Sequence, residues 1–268
     1  MYKLIALDMD GTLLREDGTI SERTKTAIQQ AKDKGVKVVL ASGRPLEGLE
    51  RYLTELGLTS TDDYALSFNG ALIKNIGTRE TICSQVIRGQ DVQEIFAVTE
   101  KLGVNTHAFS AELGLITPRI SHYTQHEKDI NGISLTLMNY SELAADHPIV
   151  KMMMVDDAEI LSPAVEQIPN DYYDRFTVVR SAPFFLEILN KESNKGNGVA
   201  MLADYLGIKQ EEVICVGDAG NDVHMLTYAG LGVAMGNAFD DIKEIADFIT
   251  HSNQDDGVAH VIEKFILD

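Results

Sequence analysis

Short apolar runs alternate with helix-patterned segments over the first third of the chain. The runs have the length and composition of buried strands, and the segments between them repeat apolar residues at helical spacing. The expected strands are residues 4–7, 36–41 and 64–68, and the expected helices are residues 21–34 and 46–56. Ser21 stands where a side chain would cap the first helix, and Gly35 stands where that helix would end. Strands and helices that alternate in this way form right-handed βαβ units, so this stretch predicts a parallel sheet in an α/β fold.

The last third of the chain repeats this alternation, whereas the middle third is richer in strands. In the last third the expected helices are residues 198–206, 224–228 and 258–266, and the expected strands are residues 213–216, 232–234 and 248–250. The length of 268 residues suits one large domain or two modest ones. We therefore predict a core domain with a parallel sheet, formed by residues 1–83 and 189–268. A second α/β domain, residues 84–188, is inserted into it.

The charge of the chain limits its partners. Lys and Arg number 23 against 41 Asp and Glu, which gives a formal net charge of −18. A surface this acidic repels phosphate backbones and anionic lipids, so we expect neither a nucleic-acid nor a membrane partner. Two cysteines, Cys83 and Cys215, are too few for a disulfide framework. The first residues lack the features of a signal peptide, and no apolar run has the length of a membrane helix, so we expect a cytoplasmic protein.

A pair of carboxylates follows the first expected strand. Asp8 and Asp10 lie in the sequence Asp-Met-Asp-Gly-Thr, and Gly11 allows a tight turn directly after them. Ligands of parallel α/β sheets bind beyond the carboxyl ends of the strands, where these two side chains would stand. Two carboxylates this close repel each other unless a bound cation or a proton reduces that repulsion. The pair therefore predicts a metal or acid–base site, with an ordinary acidic turn as the alternative.

A second acidic segment follows the expected strand at residues 213–216. Asp218 would stand at the carboxyl end of that strand, and Asp222 lies one helical turn further along. Carboxylate oxygens from two strand ends suit a Mg²⁺ ion that keeps several of its water ligands. An EF-hand is excluded, because neither acidic segment has the spaced acids or the sixth-position glycine of that loop.

Two further segments carry weaker signals. Ser42, Gly43 and Arg44 follow the second expected strand, where a hydroxyl and backbone N–H groups could hold a phosphate. A serine that merely caps a helix before Pro45 explains the same residues equally well. Lys195 lies in the sequence Asn-Lys-Gly before an expected helix, and most lysines in such positions are only solvated surface.

Taken together and in order, these four segments resemble the four motifs of the haloacid dehalogenase superfamily. They are DMDGT, ASGR, NKG and GDAGND, and the chain is similar to the Cof-type sugar phosphatases over essentially its whole length. The resemblance implies a Rossmann-like core with a parallel sheet, and it implies that the insert is an α/β cap domain that selects the substrate. It also implies a Mg²⁺-dependent phosphatase that acts on small phosphorylated metabolites, with sugar phosphates expected first.

The resemblance further implies a role for each residue. Asp8 would attack phosphorus, and Asp10 would protonate the leaving alkoxide and later accept a proton from water. Mg²⁺ would be bound by Asp8, the main-chain carbonyl of Asp10, and Asp218. Asp222 would hold a water ligand of the metal or orient the neighbouring ligands without binding the metal itself. The groups expected to hold phosphoryl oxygens are the N–H of Met9, Ser42, Gly43, Lys195 and Asn221.

Two alternatives remain open from the sequence. A phosphohexomutase such as phosphomannomutase would share a similar core and cap, but it would return the phosphoryl group to a sugar and need a bisphosphorylated activator. A non-catalytic regulator that accepts a phosphoryl group or binds a metal is a different class of protein. One example is a receiver domain, a signalling domain that accepts a phosphoryl group on an aspartate. It would need neither a cap of this size nor an acid two residues after its phospho-aspartate.

Overall fold

Two separate β-sheets organise the chain, and a computed structural model describes all 268 residues. The first unit comprises Met1–Ser84 and Asn194–Asp268, and the second comprises Gln85–Ser193. Each unit has its own hydrophobic core. The second unit ends later than residue 188, the point expected from the sequence, because the strand Phe185–Asn190 pairs with two strands of the second sheet.

The opening part of the first unit contains five strands and two helices. They are β1 (Leu4–Leu7), α1 (Glu22–Asp33), β2 (Lys37–Ala41), α2 (Glu50–Glu55), β3 (Tyr64–Ser67), β4 (Leu72–Asn75) and β5 (Thr81–Ser84). The side chain of Ser21 accepts the backbone N–H of Thr24 at 3.1 Å, which confirms the predicted cap of α1. The helix expected at residues 46–56 is instead a 3₁₀ turn, Leu46–Gly48, followed by the short α2.

The second unit follows with seven strands and four helices. They are β6 (Ile87–Arg88), α3 (Gly89–Lys101), β7 (Asn105–Ser110), β8 (Gly114–Thr117), α4 (His122–Asn131), β9 (Leu135–Leu137), β10 (Pro148–Val155), α5 (Ala158–Val165), α6 (Asp171–Arg175), β11 (Phe176–Ala182) and β12 (Phe185–Asn190). The main path of the sheet runs β11-β12-β10-β7-β8-β9, and its pairs are antiparallel except β8 with β9. Met152 and Met154 of β10 belong to the apolar core with Ile95 of α3 and Leu161 of α5.

The chain then returns to the first unit with three strands and four helices. They are α7 (Lys195–Leu206), β13 (Val213–Gly217), α8 (Val223–Tyr228), β14 (Leu231–Ala234), α9 (Asp240–Ile245), β15 (Phe248–Ile249) and α10 (Gly257–Ile262). No helix of the structure combines the length and the apolar character that a membrane span requires.

The order of the first sheet determines which loops meet. Its eight strands run β15-β14-β13-β1-β2-β3-β4-β5, and the pairs from β15 through β3 are parallel. This confirms the predicted α/β fold with a parallel sheet. Leu7 of β1 pairs with Val216 of β13 on one side and with Leu40 of β2 on the other. The three strands therefore end at one edge of the sheet, and the residues that follow them lie side by side.

The burial of one histidine in the second unit makes the stability of this protein depend on pH. His107 of β7 is fully buried, and its ring nitrogens contact the hydroxyl of Thr124 and the sulfur of Met153, each at 3.3 Å. Burial, helped by the nearby Lys151 ammonium, lowers the pKa of His107 to about 3. The unfolded chain therefore binds a proton below pH 6.5 that the folded chain does not, and the folded state loses stability as the pH falls through that range.

We expect the free energy of unfolding to fall between pH 7 and pH 5 by about 2 kcal/mol more in the native protein than in His107→Gln, in which this titration is absent. Urea unfolding of both proteins at the two pH values measures the difference. An equal loss in both would show that His107 does not contribute to the acid sensitivity.

Candidate active site

A buried lysine lies between two buried carboxylates at the edge of the first sheet. Asp8 directly follows β1, Lys195 is the first residue of α7, and Asp222 precedes α8. The ammonium of Lys195 donates to Oδ1 of Asp8, and it donates to Oδ1 of Asp222 at 2.6 Å. Lys195 and Asp222 are fully buried and Asp8 is nearly so. The lysine that the sequence placed among possible surface residues is therefore at the centre of this cluster.

The charges of this cluster are set by burial and by mutual attraction. Burial opposes the charge of Lys195, but the two carboxylates, Asp8 and Asp222, outweigh it and raise the pKa of the ammonium. Burial also raises the pKa of Asp8; the ammonium of Lys195 offsets part of this effect, and the charge of Asp222 adds to it. Perturbed carboxyl groups with a specific charge partner are typical of functional sites.

Asp222 uses both of its carboxylate oxygens within the protein. One oxygen accepts the Lys195 ammonium, and the other accepts the backbone N–H groups of Asp218 at 2.9 Å and Ala219 at 3.1 Å. A side chain at Gly217 would overlap the Asp222 carboxyl group, so only glycine allows this close approach. Asp222 therefore fixes the loop that carries Asp218.

The loops after β1 and β13 touch through Asp218. Its Oδ1 accepts the hydroxyl of Thr12 at 2.9 Å, and its Oδ2 lies against Gly11 so closely that a methyl group there would overlap it. Gly11 also has a φ of +82°, a conformation that favours glycine. Burial raises the pKa of Asp218, and the Thr12 hydroxyl opposes that shift.

These acids fit a divalent cation. Asp8, Asp218 and Asp222 each offer a carboxylate oxygen, and the three oxygens lie within 4.8 Å of one another. The carbonyl groups of Asp8 and Met9 accept backbone N–H groups of residues 12–14, whereas that of Asp10 accepts no backbone N–H group. Carboxylate and carbonyl oxygens are the ligands that Mg²⁺ and similar hard cations prefer.

Asp10 occupies a different environment from Asp8. Its side chain is 65% exposed, and the Arg44 guanidinium binds both of its oxygens, at 2.6 Å and 3.2 Å. Such two-point contacts hold a carboxylate in a defined orientation. Arg44 belongs to the ASGR motif, from which no role for its side chain could be predicted.

A cavity of about 290 Å³ joins most of the expected site residues. It is lined by Asp8, Asp10, Ser42, Gly43, Arg44, Asn69, Ala219 and Asn221. The buried Ser42 is held by backbone hydrogen bonds to Leu66 and Asn69, and the amide of Asn221 donates to the side chain of Asn69 at 3.2 Å. The side chain of Met9 is fully buried in the apolar core, so only its backbone is available at this site.

Asn69 is a residue of this cavity that the sequence analysis missed. It lies in a 3₁₀ turn directly after β3 and has a φ of +55°. The available signal was the pair Asn69-Gly70 behind an apolar run, which is typical of a turn with positive φ at a strand end.

Carboxylates, a buried ammonium and a cavity meet at the end of the parallel sheet, and comparison with known proteins shows the family to which the chain belongs. The model of the haloacid dehalogenase-like hydrolase family matches residues 5–262, and the chain belongs to this family. It is a phosphatase, a phosphoric monoester hydrolase that acts on small phosphorylated substrates.

Individual relatives extend over the whole chain. The putative phosphatase YxeH of Bacillus subtilis is 43% identical over 100% of this chain and 99% of its own. The 5-amino-6-(5-phospho-D-ribitylamino)uracil phosphatase YitU of the same organism is 33% identical over 98% of this chain and 97% of its own. The structure of the subclass IIB sugar phosphatase BT4131 matches with a TM-score of 0.75 and 27% identity, over 98% of each chain.

The approach of Gly11 to Asp218 predicts the outcome of a single added methyl group. Gly11→Ala should displace the Asp218 carboxylate and lower kcat/KM by about 100-fold, since a shift of an ångström in a catalytic group costs that much. Gly35→Ala is the matched control, because Gly35 has the same φ region at +83° but no atom near the added methyl group. Both variants bear the same backbone strain, so a loss of activity common to both would contradict a specific role of the Gly11 contact.

Proposed function

We propose that this chain is a Mg²⁺-dependent phosphatase of sugar phosphates and similar small metabolites that forms an aspartyl phosphate on Asp8. The observation that carries the proposal is the position of Asp8: it is buried beneath the 290 Å³ cavity, it contacts a buried ammonium, and it lies beside Asp218. The Asp8 carboxylate therefore borders the cavity, and the ammonium of Lys195 compensates its negative charge.

We assign the metal ligands to Asp8, the carbonyl of Asp10, and Asp218. Asp222 is left to orient them, since its own oxygens are already engaged by Lys195 and by two backbone N–H groups. When bound, Mg²⁺ would neutralise charge on the phosphoryl group, which is the main requirement of phosphoryl transfer.

The first chemical step forms a bond between an oxygen of Asp8 and phosphorus, and it breaks the bond between phosphorus and the leaving oxygen. Asp10 supplies the proton that the leaving alkoxide needs, so the products of this step are an alcohol and the aspartyl phosphate. In the second step Asp10 takes a proton from water, which attacks phosphorus and releases inorganic phosphate and the Asp8 carboxylate.

The groups around the cavity supply hydrogen bonds to the phosphoryl oxygens. Ser42, Gly43 and Asn221 line the same cavity as Asp8. We assign the hydroxyl, the backbone N–H and the side-chain amide of these residues to the phosphoryl oxygens. The ammonium of Lys195 already binds the Asp8 carboxylate. We assign to this ammonium and to the N–H of Met9 the contacts with the phosphoryl group attached to Asp8. These donors position the phosphoryl group and compensate its charge before the reaction begins.

The class of leaving group is the finer part of the proposal. The similarity to BT4131, named a sugar phosphatase, and to YitU, named a phosphatase of a phosphorylated ribityl compound, supports a polyhydroxylated leaving group. We assign its selection to the second unit, residues 85–193, as a cap domain. A phosphohexomutase would instead convert one sugar phosphate into another without net phosphate release.

A phosphate-release assay over a panel of sugar phosphates, with and without Mg²⁺, tests the proposal. We expect release to stop when a chelator removes divalent metal and to return when Mg²⁺ is added in excess. Full activity in excess chelator would contradict the metal requirement, and isomerised sugar phosphate without phosphate release would favour the mutase.

The same assay tests Asp218 as a metal ligand. Asp218→Ala removes one carboxylate of the site, so the Mg²⁺ concentration for half-maximal activity should rise by at least about tenfold. Asp62→Ala is a suitable control, because Asp62 is an aspartate of the same unit whose side chain is 85% exposed. An unchanged Mg²⁺ dependence in Asp218→Ala would remove Asp218 from the ligands.

A further inference from the structure

A second cavity borders Asp10 and is lined by three arginines. Its volume is about 440 Å³, and Arg15, Arg44 and Arg51 belong to its wall. The carboxylates in that wall are Asp10 and Glu16, so the lining is net positive in a chain whose net charge is −18. Such a concentration of cations needs a reason, because the rest of the chain is strongly acidic.

The three arginines differ in how far their charges are compensated. Arg44 is paired with Asp10, and Arg15 donates to Asp256 at 2.9 Å. The Nε of Arg15 is buried and has no hydrogen-bond partner. Arg51 forms no ion pair: its guanidinium lies 4.2 Å from the ring centre of Tyr52 and donates to the hydroxyl of the same residue. Arg51 is therefore the cation of this cavity that lacks a counter-ion.

The wall of the second cavity is held in place by two asparagines. Asn237 donates to the carbonyl of Gly11, and Asn253 donates to the carbonyl of Leu14, each at 2.8 Å. The N–H of Asn253 in turn donates to the side chain of Asn237 at 2.9 Å. These bonds fix the loop after β1 against the two asparagines, so the cavity is part of the folded unit rather than an accident of a loose loop.

Asp10 and Arg44 line both this cavity and the one that contains Asp8. In the proposed function, Asp10 delivers a proton to the leaving oxygen, so the leaving group must start beside Asp10. A leaving group that extends from Asp10 into the second cavity would meet the wall to which Arg51 belongs.

We infer that the second cavity is a subsite for a second anionic group on the leaving group, with Arg51 as its main cation. This inference rests on the proposed function and narrows its substrates to doubly anionic compounds, with sugar bisphosphates first. A guanidinium binds phosphate through two parallel hydrogen bonds, which suits Arg51 better than an isolated ammonium would.

Inhibition by matched sugar phosphates tests the subsite. The hydrolysis of an aryl phosphate in the presence of Mg²⁺ is measured with fructose 6-phosphate or fructose 1,6-bisphosphate as competitor, and the glucose 6-phosphate and glucose 1,6-bisphosphate pair is treated in the same way. In the native protein we expect the bisphosphate of at least one pair to bind about tenfold more tightly than its monophosphate, as a charged phosphate contact would give.

Arg51→Gln should lower this preference by about tenfold, and Arg51→Lys, which keeps the charge, should lower it less. Arg23→Gln is the matched control: Arg23 is an exposed arginine of the same unit that pairs with Glu263 and does not line the cavity, so the preference should not change. Thermal unfolding of each variant checks that the fold is kept.

The outcomes separate the subsite from the proposed function. Equal binding of mono- and bisphosphate in both pairs, or a preference that survives Arg51→Gln, overturns the subsite and leaves the phosphatase proposal intact. If the native protein hydrolyses neither the aryl phosphate nor any of the sugar phosphates, the proposed function itself is overturned.

Discussion

The buried ion cluster of Lys195 with Asp8 and Asp222 is the interaction on which the rest of the site depends. Its members come from the end of β1, the start of α7 and the start of α8, so it forms only when the parallel sheet and both helices are in place. Removal of one partner from such a cluster leaves an uncompensated buried charge, which costs about 3–5 kcal/mol. The same arrangement that stabilises this edge of the sheet also holds the nucleophile proposed for the reaction, so structure and chemistry constrain the same three residues.

Much of the fold and of the proposed site could be predicted from the sequence, because both follow from where apolar runs end. Asp8, Ser42 and Asp218 each stand at or just beyond the end of a predicted strand, and parallel neighbours bring such ends together. The sequence could not show that β1 lies between β13 and β2. That order, shown by the register of Leu7 with Val216 and Leu40, brings Thr12 and Asp218 into contact although they are 206 positions apart in the sequence.

Other features depend on side-chain orientation and could not be predicted from spacing. The pairing of Asp10 with Arg44 and the unpaired charge of Arg51 depend on the orientation of two arginine side chains that lie on either side of the turn Leu46–Gly48. The turn itself was predicted as part of one continuous helix, because Leu46, Leu49 and Leu53 have helical spacing and are all buried. Periodicity reports which face is buried, but it does not distinguish one helix from a 3₁₀ turn followed by a short helix.

The most direct test of the account is the trapping of a phosphoryl group on Asp8. In Asp10→Asn the nucleophile remains but the proton donor and acceptor is lost, so an aryl phosphate, whose leaving group needs little protonation, should still complete the first step faster than the second. Intact-mass measurement during turnover should then show a protein about 80 Da heavier, the mass of one added HPO₃ group. Hydroxylamine should release the phosphate and leave a hydroxamate about 15 Da heavier than the unmodified protein. Fragmentation should place the group on Asp8, and Asp8→Asn should show neither adduct nor phosphate release. Sustained phosphate release by Asp8→Asn, once deamidation is excluded, would contradict the covalent mechanism.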